Sequence, residues 1–218
     1  AWGLGEVDAA YALGVIAGDH DADGKTEIYV ANDSMENYWF DWTGSALEND
    51  GYGIGVACGE TGDAQAGMGV DAQDLNGDGR MDLVCTNFSA EVNNVYLSAE
   101  GDVWIEASAA TGTALGGLSQ VGWGCVLEDL DLDGLIDLFV ANGHVYPQAA
   151  RRDSGTDYSQ RNTLYLGAPA EGVRFERHAD NASTGLSVKS VSRGVAAGDL
   201  DNDGDIDLIV CNLNGRPT

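Results

Sequence analysis

Gly124-Cys-Val-Leu-Glu-Asp129-Leu-Asp-Leu-Asp-Gly-Leu-Ile-Asp137-Leu-Phe-Val-Ala-Asn142 decides the fold of this chain. An apolar stretch enters an acidic loop, and a second apolar stretch leaves it and ends on asparagine. The design occurs four times. Its loops are Asp19-His-Asp-Ala-Asp-Gly-Lys-Thr-Glu27, Asp74-Leu-Asn-Gly-Asp-Gly-Arg-Met-Asp82, Asp129-Leu-Asp-Leu-Asp-Gly-Leu-Ile-Asp137 and Asp199-Leu-Asp-Asn-Asp-Gly-Asp-Ile-Asp207. The interval from Asp19 to Asp74 equals that from Asp74 to Asp129, and the interval from Asp129 to Asp199 is longer. A long, nearly constant period marks an array in which each repeat is one supersecondary unit.

The match extends well beyond the loops. GVIAGD, GVDAQD, GCVLED and GVAAGD lead in, and IYVAN, LVCTN, LFVAN and LIVCN lead out. Asn32, Asn87, Asn142 and Asn212 all stand at the same offset from the first Asp of their loop. NYWF, NVYL and TLYL read as third strands, and VWIEA and VRFERH as fourth strands, with glycine-rich turns between them. No stretch of about ten residues has clean helical periodicity. The expectation is an all-β chain of propeller blades, each a four-stranded antiparallel sheet with a calcium-binding hairpin loop. The second strand is apolar on both faces and is predicted to lie inside the stack. The repeats divide the chain into residues 1–66, 67–121, 122–192 with an insertion, and a last unit of two strands, 193–218. That is roughly three and a half blades where closed propellers have about four to eight. The other blades are therefore expected from a parent chain or another subunit.

The loops have the chemistry of a hard cation site. Calcium takes about six to eight oxygens. Positions 1, 3, 5 and 9 offer Asp19, Asp21, Asp23 and Glu27; Asp74, Asn76, Asp78 and Asp82; Asp129, Asp131, Asp133 and Asp137; and Asp199, Asp201, Asp203 and Asp207. Position 7 offers a carbonyl, from Lys25, Arg80, Leu135 or Asp205. Glycine at position 6 permits the sharp turn that folds these oxygens inward. An EF-hand begins with similar spacing but needs a bidentate Glu at position 12. Here that position holds Val30, Cys85, Val140 and Val210, and a strand follows. About four calcium ions are expected, one per loop. Acidic turns without metal are the plain alternative, since Asp and Gly are common in hairpins. Four copies in one phase favour the metal. Loop two, with Asn76 in place of an Asp, is predicted to be the weakest site.

Composition agrees. Thirty-six acidic residues against ten basic give a formal charge of −26. Such a balance disfavours nucleic acid and anionic membrane as partners. With 44% apolar residues the chain can bury a core, and no run is long enough to span a bilayer. No signal peptide is present, and the first residue is Ala, so a processed or longer parent chain is expected. Cys58, Cys85, Cys125 and Cys211 form no CxxC pair and are read as buried thiols.

Smaller features have plain readings. His144 is read as a turn cap and His20, at loop position 2, as solvated. The third repeat is the longest, and its extra residues fall near Gln148–Gln160, where Arg151 and Arg152 form a basic pair. A solvated loop is the default there, although such insertions are often functional. Asn32-Asp-Ser, Asn87-Phe-Ser and Asn181-Ala-Ser match the glycosylation pattern and are read as chance matches. No Ser/His/Asp order, GxSxG, HExxH or phosphate loop is present, so the chain is expected not to be an enzyme.

VANDSMENYWF, AGMGVDAQDLNGDGRMDLVCTNF, DLFVANGHVYP and SRGVAAGDLDNDGDIDLIVCNLN resemble the FG-GAP/VCBS repeat family, related to the integrin α-subunit propeller. More specifically, the pattern resembles bacterial proteins like cartilage acidic protein 1, which often carry an ASPIC/UnbV domain. That resemblance implies a propeller of about seven blades, calcium in the hairpin loops and a secreted, periplasmic or cell-surface location. It implies adhesion or assembly with a protein partner. The alternative is the propeller portion of a carbohydrate-active protein, or a lectin with a glycan partner. The five Trp hold no common repeat position, which weakens the lectin.

Overall fold

The computed structural model describes residues 7–149, 155–179 and 185–218. Its first sheet runs in the order β1 (Ala12–Gly18), β2 (Glu27–Asn32), β3 (Tyr38–Trp42) and β4 (Leu47–Asn49). The second runs β5 (Val70–Gln73), β6 (Asp82–Cys85), β7 (Asn94–Ala99) and β8 (Val103–Glu106). The third follows the same path through β9 (Gly122–Glu128) and β10 (Asp137–Asn142). It skips the short β11 (Gln160–Arg161) and continues with β12 (Thr163–Gly167) and β13 (Phe175–Arg177). β11 pairs instead with β14 (Lys189–Ser190), and a final hairpin joins β15 (Ser192–Gly198) to β16 (Asp207–Asn212). All pairings are antiparallel. The chain is all-β, built from four-stranded antiparallel propeller blades. The one α-helix among the described residues is a short turn, Ser108–Thr111.

The apolar second strands lie where expected. β6 is buried at every position and β10 likewise, because each faces a neighbouring blade on both sides. One core joins Tyr29, Ala31 and Trp39 of the first blade to Leu83, Tyr96 and Trp104 of the second. Trp39 and Trp104 pack with ring centroids 4.7 Å apart. A second core joins Val84 and Val95 to Leu138, Tyr165 and Phe175 of the third blade. Tyr96 opposite Leu83 and Tyr165 opposite Leu138 occupy the same register, so one large side chain per blade fills the same gap. Each such burial stabilises by about 1.5–3 kcal/mol. Phe139 and Ala141 then pack against Val210 of the last hairpin.

The inner strands touch at glycines. A Cβ at Gly14 would collide with the carbonyl of Met68, and one at Gly69 with the carbonyl of Trp123. The glycine that opens the first three lead-in motifs, Gly14, Gly69 and Gly124, therefore lets the next unit's backbone approach, whereas nothing lies near Gly194. The repeated asparagine stands at the end of the second strand, or just past it at Asn87, and ties down the turn beyond. Asn32 Nδ2 donates to the Glu36 carbonyl, Asn87 Nδ2 to that of Val92 and Asn142 Nδ2 to that of Arg161. Asn32 and Asn87 are buried, which removes both as glycan acceptors. The third match, at Asn181, lies outside the described residues.

Two expectations need correction. All four cysteines are free, and Cys85 and Cys125 are buried as read, but Cys58 is half-buried and Cys211 is exposed. Cys211 follows Val210, which packs on the third blade, so its own side chain faces away from that core. His20 is not solvated: it is 4% exposed and its ring tilts over Trp39 at 5.6 Å. Leu75 and Leu130 at the same position pack against the cores between blades, so position 2 points into that gap wherever a next unit follows; Leu200, on the last hairpin, is exposed. His144 does cap a turn, accepting the Tyr146 N–H at Nδ1, 3.0 Å away.

Candidate metal centres

Each acidic loop joins the first strand of its unit to the second, so the four lie at the same end of the blades. The loop backbone is held by its own carboxylates. The position-1 Asp accepts the N–H of the position-6 glycine in every copy: Asp19 from Gly24, Asp74 from Gly79, Asp129 from Gly134 and Asp199 from Gly204. The position-5 Asp accepts the N–H of position 7 in every copy, from Lys25, Arg80, Leu135 and Asp205. Position 6 has φ between 87° and 98°. Position 4 is also left-handed, at Ala22, Gly77, Leu132 and Asn202, with φ from 60° to 76°. That second left-handed turn leaves no mark in the sequence, because the four residues share no chemistry.

The position-9 acid has a role beyond ligation. Its carboxylate accepts the N–H of position 2 in all four loops: Glu27 from His20, Asp82 from Leu75, Asp137 from Leu130 and Asp207 from Leu200. This closes the loop across its base. In the second and third blades the other oxygen accepts an N–H from the third strand, Ser98 at 2.7 Å and Gly167 at 2.7 Å. The acid thus sits at the junction of loop, second strand and third strand. Glu27, Asp82 and Asp137 are all buried, and burial raises the pKa of each. Glu27 is pushed up to about 7, chiefly by desolvation and further by the charges of Asp21, Asp23 and Asp41.

The loops bring together different subsets of the predicted ligands. Asp19, Asp21 and Glu27 place an oxygen each within 4.8 Å of one another. Asp129, Asp131 and Asp137 do the same in the third loop, and Asp199, Asp201 and Asp203 in the fourth. Asp23, Asp133 and Asp207 stand outside these groups, and Asp23 is ion-paired with Lys25. The second loop forms no such carboxylate group among the described residues. There the Asn76 amide donates to Asp78 at 3.2 Å, and Asp82 has both oxygens occupied. Glu27 differs: its Oε1 is buried with no hydrogen-bond partner.

The repeat unit defined by this geometry, loop to loop, has a known counterpart. The FG-GAP-like repeat matches residues 19–85, 74–140 and 129–210, each match opening on the first Asp of a loop and closing in the strand after the next. The chain belongs to the FG-GAP-like repeat family. The three FG-GAP-like matches overlap by one loop and strand apiece, and together they cover all four loops and run from the first loop into β16. No curated protein matches the chain. No helix among the described residues is long and apolar enough to cross a membrane.

An all-oxygen donor set with a buried, unpartnered carboxylate oxygen suits a hard divalent cation. Thiolate and imidazole, which soft metals prefer, do not belong to the groups. Calcium, the metal the family resemblance implies, fits loop one best; loops three and four also bring three carboxylates together, although Asp137, like Asp82, has both oxygens on backbone N–H groups.

Proposed function

We propose that this chain is a calcium-stabilised, non-catalytic propeller module that presents its blades to a protein partner outside the cytoplasm. Bound calcium neutralises the converging carboxylates and supplies the charge that Glu27 Oε1 lacks. In this reading Asp19, Asp21 and Glu27 hold the ion in loop one, Asp129, Asp131 and Asp137 in loop three, and Asp199, Asp201 and Asp203 in loop four. The carbonyls of Lys25, Leu135 and Asp205 add oxygens, and Arg80 serves loop two. The observation that carries the proposal is Glu27, fully buried with one oxygen unpaired beside two other acids. A buried charge without a partner is strongly disfavoured, and a cation at that point removes the defect.

The family and the all-β repeat support the interaction role, since repeat arrays offer extended surfaces. The extracellular location rests on the family resemblance and on the high calcium such compartments provide. Melting curves test the metal's role. Metal that binds only the folded state stabilises it by mass action. Chelation is expected to lower the melting temperature markedly, with recovery in excess calcium and weaker recovery in magnesium. Coincident curves on protein shown to be metal-free would reject a structural role for the ion.

A further inference from the structure

Consecutive units meet through one recurring joint. β1 lies beside β5, β5 beside β9 and β9 beside β15. At each step the lead-in glycine of one unit meets the backbone just ahead of the next unit's glycine. A Cβ at Gly124 would stand 3.0 Å from the Arg193 carbonyl oxygen, as those at Gly14 and Gly69 would strike the carbonyls of Met68 and Trp123. Side chains of the second strands alternate across the joint. Leu83, Leu138 and Leu208 pack toward the preceding unit, and Tyr29, Val84 and Phe139 toward the following one.

Among the described residues both halves of this joint also stand open. On the last hairpin, a Cβ at Gly194 would meet nothing within 4 Å. Ile209 holds the register position of Tyr29, Val84 and Phe139, which are buried, and is 42% exposed. Cys211 is exposed where Ala31 and Ala141 are buried. On the first blade, Val15 holds the position at which Val70, Cys125 and Val195 pack on the preceding unit, and it is 63% exposed. Leu13, ahead of Gly14, is exposed where Met68, ahead of Gly69, is buried. The terminal units of a self-sufficient array present polar outer faces. These two faces are apolar, and each is the half of the joint that the other lacks.

We propose that the last hairpin of one copy docks on the first blade of a second copy, head to tail, through this same joint. Gly194 then admits the Leu13 carbonyl of the second copy, as Gly14 admits that of Met68. Ile209 buries against Val15 and Val30 of the second copy, as Val84 does against Cys125 and Val140. The driving force is removal of apolar surface from water. Contact between unlike faces is heterologous, and it forms a ring when the rotation closes. Four loop-bearing units per copy make eight in a pair, and closed propellers have about four to eight blades, so two copies suffice for one ring. No acid of the metal groups lies in the joint, so the proposal stands apart from the calcium reading. Each copy carries −26, and the repulsion between them is screened within about 8 Å at physiological salt.

Sedimentation equilibrium of the 218-residue chain, in calcium and physiological salt, tests this. Twice the chain mass is expected. Gly194 lies outside the left-handed region and faces open space, so Gly194→Val should melt like the unmodified chain yet sediment as a monomer. Val15→Asp should do the same from the other face. Gly198→Gln is the control: the second and third units carry Gln73 and Glu128 at that position, and the mass should not change. Each of the two monomeric variants keeps the half that the other has lost, so mixing them should restore a dimer with one joint. Larger species abolished by the same two variants would support the joint and show that it stays open. A monomeric unmodified chain, a dimer undiminished in both Gly194→Val and Val15→Asp, or no recovery on mixing would overturn the proposal.

Discussion

Loops one and two share one pattern in successive repeats, yet they dispose of their negative charge in different ways. In loop two the amide of Asn76 donates a hydrogen bond to Asp78, and Asp82 satisfies both oxygens with the N–H groups of Leu75 and Ser98. In loop one three acids converge, Glu27 is a methylene longer than its Asp counterparts, and its outer oxygen finds no N–H. The same motif can therefore be self-sufficient or dependent on an ion. What decides between the two is a single amide and the reach of one side chain.

Substitution at the two position-9 acids should separate the cases most sharply. Glu27→Gln removes a buried charge and a metal ligand together. Its metal-free form is expected to melt no lower than the parent, while its gain on adding calcium falls well below the parent's. Asp82→Asn leaves one of two buried N–H groups without its acceptor. It is expected to destabilise by about 1–3 kcal/mol with calcium or without. Thermal melts of both variants in chelator and in calcium check this. A calcium gain unchanged in Glu27→Gln would break the comparison.

Acidity gives the next largest effect. Glu27 has its folded pKa raised to about 7, above its ordinary value of 4.5. In metal-free protein its contribution is thus fully present below about pH 4.5 and is lost as pH rises through about 7. Relative to Glu27→Gln, the metal-free parent should lose stability across that window. With calcium bound the sign reverses, because the ion binds the ionised carboxylate. Parallel pH–stability curves for parent and variant in chelator would contradict the burial of an unpaired acid. The smallest effect is expected from Asn76→Asp, which gives loop two a fourth carboxylate. It should raise that loop's calcium affinity severalfold and lower metal-free stability slightly, as calorimetric titration and chelator melts would record.

Much of this is legible in the residues. The lead-in glycine, the apolar second strand and the terminal asparagine each recur with a fixed offset, and each has one structural cause repeated from blade to blade. The third and fourth strands are readable from aromatic and β-branched runs, except β4, whose Leu47-Glu-Asn49 carries no such signal. His20 misleads because a polar side chain in an acidic loop looks solvated. Leu75, Leu130 and Leu200 at the same position are the signal that it packs inward. The base-closing role of position 9 is hidden because ligation alone explains an acid there. The left-handed position 4 is illegible, since Ala22, Gly77, Leu132 and Asn202 have no property in common. Cys85 stands two residues before Asn87 and Cys211 one before Asn212, so they face opposite sides of their strands; the counterparts of Cys211, Ala31 and Ala141, are buried, and Cys211 is exposed on the last hairpin.

The most direct test of the metal account is a high-resolution crystal structure of protein grown in calcium, with anomalous scattering to identify the ion. The account predicts calcium at about 2.3–2.6 Å from carboxylate oxygens. Occupancy should be full in the loop of Asp19, Asp21 and Glu27 and lowest in the loop of Asn76. Loops empty of metal with Glu27 Oε1 still unpartnered, or an anomalous signature of zinc, would contradict it.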